Sequence, residues 1–350
     1  MEKKVSLIVP IYNGQQYLPD CMRSLTEQSL RDIEILLIDD GSTDGTLRLC
    51  EEYAGQDSRI RVLHQENAGL GMTRNRGIDA AEGKYIGFVD VDDTIQPDMC
   101  EKMYQAAERT GADFVLAGIR HVGGNLFSAA DRSLCEFEKE ELFEGETGRK
   151  KLLFGIVGAE PWEAEDSRYN FSVCKNLYRR ESIETSGVRF VSEREVISED
   201  VIFLLQFVKH IRRAVGIPGA FYCYRRQEVS LTSAYRKDLM EQFLFLGEKI
   251  KQELNGYLEQ EDMQRCTDRM LQARARVALV SEIQYGRSCG KGHREMKNRL
   301  GALSGTPELQ RILRRYPIQK LPGKQALFAF AMRYRLTWLE YLLVYLKERR

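Results

Sequence analysis

At 350 residues the chain can bury a full α/β core and still have a second region left over. Its 52 Lys and Arg balance 52 Asp and Glu, which excludes the basic surplus expected of a nucleic-acid binder. Eight cysteines with no C-x-x-C pair, together with four scattered histidines, exclude a zinc module and read as reduced thiols of a cytoplasmic protein.

Lys3-Lys4 before the apolar residues 5–9 superficially suggests a secretory leader. Pro10, Tyr12 and Asn13 end that run too soon, and no small-residue cleavage site follows. No stretch approaches the ~18 continuous apolar residues that a membrane span needs. From residue 5 to about 119, apolar runs alternate with amphipathic ones. Strands are expected over 5–10, 33–38, 60–64, 85–89 and 114–117, and helices over 16–27, 46–53, 71–81 and 97–108. That order predicts βαβ units and a mostly parallel sheet with helices on both faces. Ligands of such sheets bind beyond the carboxyl ends of the strands.

The polar residues fall there, strand after strand. Pro10, Tyr12 and Asn13 follow the first strand, and Asp39-Asp40-Gly41-Ser42-Thr43-Asp44 follow the second. Asn67-Ala68-Gly69 follow the third and lead to Arg74-Asn75 in the next helix. Asp90, Asp92 and Asp93 close the fourth. Singly, strand-end packing explains Tyr12, a helix cap explains Asn13, and a plain turn explains Asn67-Ala68-Gly69. Together, four consecutive loops bring a ring, carboxylates and an arginine to one edge, which suits a nucleoside diphosphate. Three aspartates within four positions repel one another unless a cation lies between them, and oxygen ligands suit Mg²⁺ or Mn²⁺.

Residues 40–51 also match the spacing of an EF-hand loop, with Gly45 at position six and Glu51 at twelve. An EF-hand needs a helix before the loop, whereas Ile33-Glu34-Ile35-Leu36-Leu37-Ile38 reads as a strand. That reading is rejected.

In combination and order, Pro10-x-Tyr12-Asn13, Asp39-Asp40-Gly41-Ser42-Thr43-Asp44, Asn67-x-Gly69…Arg74-Asn75-x-Gly77 and Asp90-x-Asp92-Asp93 resemble family 2 glycosyltransferases of the GT-A fold. More closely, the chain resembles the bacterial enzymes that build capsular, exopolysaccharide or lipopolysaccharide glycans. The likeness is tight over the first 120 residues and looser to about Thr232. It implies that Tyr12 stacks on the base, Asp40 hydrogen-bonds it, Asp92 serves the ribose-phosphate region and Asp93 holds the metal. Val91 and Thr73 depart mildly from the pattern, and neither removes a ligand.

Past residue 119 the alternation stops, with a hairpin turn expected at Gly123-Gly124-Asn125. Glu160, Glu163, Glu165 and Asp166 surround Pro161-Trp162, which reads as a solvated acidic loop or, more sharply, a flap over an acceptor. The family's lysine before Leu-Tyr is replaced by Asn176, so no contact is assigned to Lys175. Glu199-Asp200 open an apolar helix, where N-terminal acids are favoured in any case. By resemblance this is the family's Glu-Asp pair, and Asp200 the catalytic base. The residues 222–232 resemble its final motif, in which Arg225 or Arg226 could meet phosphate. Beyond residue 235 the chain reads as helical, with Pro317 and Pro322 marking a linker. From Lys320 to Arg350 there are seven basic and two acidic residues among Trp, Tyr and Leu. This suits a membrane-surface helix, or a helix docked on its own domain, and the positive surplus favours the former.

The expected organisation is a nucleotide-sugar-binding half over 1–120, an acceptor half with the base over 121–235, and a helical region over 236–350. The expected function is inverting, metal-dependent transfer of a sugar from a nucleotide-sugar, UDP-linked, to a glycan hydroxyl, lipid-linked, in surface polysaccharide synthesis. Pro10, Tyr12, Asn13, Asp40, Asn67, Gly69, Arg74, Asp90 and Asp92 would bind the donor, Asp92 and Asp93 the Mn²⁺ or Mg²⁺, and Asp200 would take the proton. The enzyme would work in the cytoplasm, touching the inner face of the membrane through 320–350. Two other classes remain. A sugar nucleotidyltransferase needs a glycine-rich, basic N-terminal signature that Pro10-Ile11-Tyr12-Asn13-Gly14 lacks. An inactive glycan- or nucleotide-binding relative would be expected to lose carboxylates that are all present here.

Overall fold

The computed structural model describes residues 3–122, 132–225 and 235–348. The turn expected at Gly123-Gly124-Asn125, Arg226 of the final motif, and Arg349 and Arg350 lie outside the described residues. The chain divides into two compact units, one of 1–152 with 170–227 and one of 153–169 with 228–350.

The first unit begins with the expected alternation: β1 (Val5–Ile11), α1 (Leu18–Thr26), β2 (Ile33–Asp39), α2 (Thr46–Gln56), β3 (Ile60–His64), α3 (Leu70–Ala80) and β4 (Tyr85–Phe88). Every residue of β1, β2 and β4 is buried, as expected of parallel strands covered on both faces. Then follow β5 (Thr94–Ile95), α4 (Met99–Thr110), β6 (Phe114–Val122), β7 (Arg132–Leu134), β8 (Glu141–Glu144) and α5 (Gly145–Val157), whose residues from Leu153 on belong to the second unit. It ends with β9 (Asn176–Arg179), α6 (Arg180–Ser186), α7 (Glu199–His210) and β10 (Arg213–Arg225).

The sheet runs β3-β2-β1-β4-β9-β6-β10-β5, with β7 beside β6 and β8 beside β10. Its first four strands are parallel, as are β6 and β10. Between them β9 is antiparallel to both β4 and β6, a placement that the sequence pattern does not reveal. An aromatic cluster holds α7 to the sheet, with Phe190 and Phe203 stacked at 4.0 Å and Phe203 edge-on to Phe88 at 6.0 Å. These rings fix where α7 starts, and hence where Asp200 lies.

The second unit is helical, as expected: α8 (Leu239–Leu254), α9 (Gln260–Ser288), α10 (His293–Ser304), α11 (Pro307–Arg315), α12 (Gly323–Arg333) and α13 (Thr337–Glu348). A single 3-10 turn, Ile318–Lys320, lies between Pro317 and Pro322. The segment 153–169 is neither a solvated loop nor free to act as a flap. Glu160 pairs with Arg265 at 3.3 Å and Asp166 with Arg276, while Glu163 pairs with Arg168. Arg269, fully buried on α9, donates to the carbonyls of Glu163 and Glu165 at 3.0 Å each. A buried guanidinium must find acceptors, and this segment supplies them.

Both C-terminal helices pack: Ala329, Ala331, Met332, Glu340 and Val344 are buried. They also leave Leu327, Phe330, Tyr334, Trp338, Leu342 and Leu346 exposed. No helix among the described residues is long and apolar enough to cross a membrane.

Candidate active site

The loops after β1 and β2 are tied together by their own polar groups. Asn13 takes a left-handed φ of 52°, which Asn tolerates better than most residues. Its N–H donates to Ser42 Oγ at 2.9 Å, and its Oδ1 accepts from Thr43 N–H at 2.8 Å. Tyr12, next to this tie, is 54% exposed, while Pro10 is buried within β1.

Asp40 holds the loop after β3. Its buried carboxylate accepts from the N–H groups of Ala68 and Gly69, at 2.9 Å each, and from Gln65 Nε2 at 2.7 Å. Three donors leave room for about one more on a carboxylate. Asn67 Nδ2 donates to the Asp40 carbonyl at 3.0 Å, and Arg194 donates to Asn67 Oδ1. Gly69 needs to be glycine: its φ is +94°, and a Cβ there would lie 2.2 Å from Glu193 Oε1. Glu193, which sequence reasoning did not single out, accepts from Gly71 N–H at 3.1 Å.

At the centre is Arg74, 1% exposed. Its Nη1 donates to Glu199 Oε1 at 2.9 Å and to Asp200 Oδ1 at 2.8 Å, and its Nη2 to Asp90 Oδ1 at 2.9 Å. Its guanidinium also lies 5.3 Å from the Phe190 ring. Arg74, expected to meet the donor, thus faces three carboxylates of its own chain. Burial disfavours all these charges, yet Asp200 and Asp90 outweigh it for Arg74 and hold its pKa above the ordinary value. One cation does not balance three acids. Burial, with Asp200 beside it, pushes Glu199 up to about 7, and burial, with Asp90 nearby, raises Asp200 against the pull of Arg74. Ser198 precedes the pair at a left-handed φ of 62°, turning the chain so that both acids open α7. Asp200 Oδ2 accepts a long hydrogen bond, 3.3 Å, from Val173 N–H.

The three aspartates after β4 do not form a ready-made cage. Asp90 is turned to Arg74. Asp93, 1% exposed, accepts from the Tyr222 hydroxyl at 2.6 Å and from Arg225 N–H at 2.7 Å. Among the described residues no group of three or more His, Cys, Asp or Glu is arranged to hold a metal ion. The electrostatics nevertheless suit a cation. Burial, then Asp90, raises Asp92 to about 6; burial, then Asp90 and Asp92, raises Asp93 to about 8. Asp92 and Asp93 could therefore hold a hard ion whose remaining positions are taken by water and phosphate.

Tyr222 was missed as a site residue, although the motif that contains it was recognised. It donates to Asp93 and accepts from Asp90 N–H at 3.1 Å, so β10 braces the aspartate loop from the far side of the sheet order. Arg225 is engaged within the scaffold, donating to Asp20 Oδ2 at 2.9 Å and to the Asp92 carbonyl at 3.0 Å. Lys175 is fully buried and pairs with Glu136 at 2.7 Å.

The family model described as glycosyl transferase family 2 matches residues 6–160. Glycosyltransferase GlyG of Streptococcus pneumoniae serotype 4 is 30% identical over 258 residues, covering 69% of this chain and 79% of its own length. The succinoglycan biosynthesis protein ExoO of Rhizobium meliloti is 29% identical over 283 residues, covering 80% of this chain and 77% of its own. The crystal structure of S. aureus TarS 1-349 in complex with UDP-GlcNAc superposes with a TM-score of 0.65 at 22% identity, covering 99% of this chain and 92% of that one.

Proposed function

The chain belongs to glycosyltransferase family 2, and on that premise we propose that it transfers a sugar with inversion from a UDP-sugar to a hydroxyl of a lipid-linked glycan during surface polysaccharide synthesis. The observation that carries the reading is the Arg74 bridge. It joins Asp90, at the end of a donor-side strand, to Asp200, at the start of α7, through bonds of 2.9 and 2.8 Å. Support for the donor comes from the exposed Tyr12 ring beside the Asp40 loop, and from TarS, whose complex holds UDP-GlcNAc.

Arg74 fixes Asp200 Oδ1, which leaves Oδ2 as the oxygen able to accept a proton. The acceptor oxygen attacks the anomeric carbon from the side opposite the diphosphate. The new C–O bond forms as the bond to phosphate breaks, the hydroxyl proton passes to Asp200, and UDP departs. The transition state is oxocarbenium-like, as in glycoside chemistry generally. A Mn²⁺ or Mg²⁺ ion on Asp92 and Asp93 would supply charge neutralisation for the leaving diphosphate. Tyr12 would stack on the base. Asp40, with its loop already fixed, would offer its remaining acceptor position. The rest of the chain's share is positioning, since these groups are held before any substrate arrives. A cytoplasmic, membrane-facing setting agrees with the exposed apolar side chains on α12 and α13.

Nucleotide release with a panel of nucleotide-sugars and a glycan acceptor tests this. Asp200→Asn should bind UDP-sugar as the parent does and lose transfer by ~10²–10⁴-fold. Asp93→Asn should lose the Mn²⁺-dependent part of UDP binding in calorimetry. Loss of donor binding in the Asp200 variant would make that residue structural and leave the proton without an acceptor.

A further inference from the structure

Outside the catalytic unit, one cleft has a composition that the transfer reaction does not use. It lies in the second unit, has a volume of about 640 Å³, and is lined by Gly305, Pro307, Gln310, Arg311, Arg314, Arg315 and Arg335. Four arginines line it and no acid does. We propose that this cleft binds the phosphate headgroups of anionic phospholipids, and that the apolar side chains beside it enter the bilayer. The proposal rests on the membrane-facing reading above and gives it a specific recognition site.

Half of this charge is cancelled locally and half is not. Arg311 pairs with Glu308, and Arg315 makes two 2.6 Å bonds to Asp268. Arg314 and Arg335 pair with no acid among the described residues. Arg335 donates one bond, at 3.0 Å, to the Gly301 carbonyl, which leaves most of its five N–H groups for a ligand. Glu340, whose carboxyl feels Arg335, is fully buried and bonded to Ser304 Oγ at 2.6 Å.

All four arginines are exposed, and the backbone fixes the position of one of them. Helix α12 ends in a paired cap: Leu336 N–H donates to the Ala331 carbonyl at 2.9 Å, and Arg335 N–H to Met332 at 3.2 Å. Glycine usually occupies the left-handed position of that cap. Here Arg335 takes it, with φ 54°. Its guanidinium then lies against Gly305, where an added Cβ would come within 2.8 Å of Arg335 Nη2. Gln310 closes the floor, donating to the carbonyls of Ser304 at 2.6 Å and Met332 at 2.9 Å.

Two observations select a lipid over a soluble phosphate. In sequence Arg335 falls between the exposed Tyr334 (57%) and Trp338 (66%), where the chain turns from α12 to α13. Those helices also carry Leu327, Phe330, Leu342 and Leu346, so half of the exposed large apolar side chains among the described residues fall within 327–346. Guanidinium groups bordered by Trp, Tyr and Leu match the headgroup–acyl boundary, where phosphate and hydrocarbon meet.

The full chain should co-sediment with phosphatidylglycerol vesicles at low salt. Arg314→Gln with Arg335→Gln should weaken binding about 25-fold, at roughly fivefold per charge. A control pair, Arg294→Gln with Lys297→Gln, removes the same charge from exposed positions of α10 and should leave binding within twofold. Trp338→Ser with Leu342→Ser should weaken it even in high salt. Equal losses in the control and cleft pairs would reduce the effect to diffuse charge and overturn the cleft. If only the Trp338/Leu342 pair mattered, membrane docking would stand and the headgroup site would fall. No binding by the parent chain would remove both. If inorganic phosphate raised the Tm of the parent but not of the Arg314/Arg335 variant, and vesicle binding were equal in the two, the cleft would belong to a soluble phosphate and the lipid assignment would fail.

Discussion

The two units bury charge in opposite ways. In the first, carboxylates gather round a single guanidinium: Asp90, Glu199 and Asp200 share Arg74. In the second, guanidiniums gather round oxygen atoms. Arg269 reaches two carbonyls and Gln325 Oε1, Arg276 reaches Asp166, and burial pushes Arg274 down to about 10. Crowded acids can answer by taking up a proton or a cation, as the raised values of Asp92, Glu199 and Asp93 indicate. Arginine keeps its charge across the working pH range, so an arginine-rich core is fixed scaffolding. The difference separates a responsive region from an inert one.

Removing one arginine from each unit puts the most weight on that contrast. Arg74→Gln and Arg269→Gln should each cost about 3–5 kcal/mol of stability at pH 8, the usual penalty for breaking a buried ionic group. In the Arg74 variant three carboxylates lose their cation, and the already raised folded pKa values of Glu199 and Asp200 rise further above the unfolded ones. Such groups favour the fold at low pH and cease to as pH rises. The deficit should therefore shrink between pH 8 and pH 5.5. The hydrogen-bond acceptors of Arg269 are neutral, and Asp166, 3.4 Å from its Nε, keeps Arg276 when Arg269 is lost, so its deficit should stay nearly flat. Urea denaturation at the two pH values decides the matter, and parallel behaviour would erase the distinction.

A smaller effect probes the exception in the second unit. Burial raises Glu340 to about 7 despite Ser304 and Arg335, and its Oε2 has no hydrogen-bond partner among the described residues. Because the folded value exceeds the unfolded one, its favourable contribution is complete below about pH 4.5 and is lost as pH rises through 7. Glu340→Gln should be about 1–2 kcal/mol more stable than the parent at pH 8, after an allowance for the unpaired amide. At pH 4.5 that advantage should vanish. A variant less stable at both would place the carboxylate in a favourable pairing after all.

The subtlest effect sharpens the first region from within. Glu199→Gln removes a negative neighbour of Asp200, whose surroundings also include Arg74, Asp90 and Cys174. The proton affinity of Asp200 should fall, and the acidic limb of the kcat profile should move about one pH unit lower. An unmoved limb would leave Glu199 with a purely structural part.

Much of the first region was legible in the sequence because parallel strands read as unbroken apolar runs. The run 33–38 became β2, and 60–64 is β3 to the residue. What stayed hidden depends on pairings far apart in the chain. Arg74 finds Glu199 and Asp200 across 125 and 126 positions, and Tyr222 finds Asp93 across 129. Nothing in a local pattern signals such partners. The same holds for β9, whose four residues carry no mark of the antiparallel slot they fill. The acidic residues 160–166 misled for the converse reason, since their arginines lie about a hundred positions away: Arg265 is 105 from Glu160, and Arg276 is 110 from Asp166.

That segment also limits how the protein can be taken apart. Because 153–169 sits with 228–350 while 170–227 returns to the first unit, the backbone passes three times between the two. A ribosome that has made 230 residues has delivered Glu160, the carbonyls of Glu163 and Glu165, and Asp166 before Arg265, Arg269 and Arg276 exist. The helical unit thus completes itself around a strand of chain laid down early. For the same reason it cannot be exchanged between relatives by a simple fusion after residue 227; a functional chimera has to carry the inner segment along with the tail.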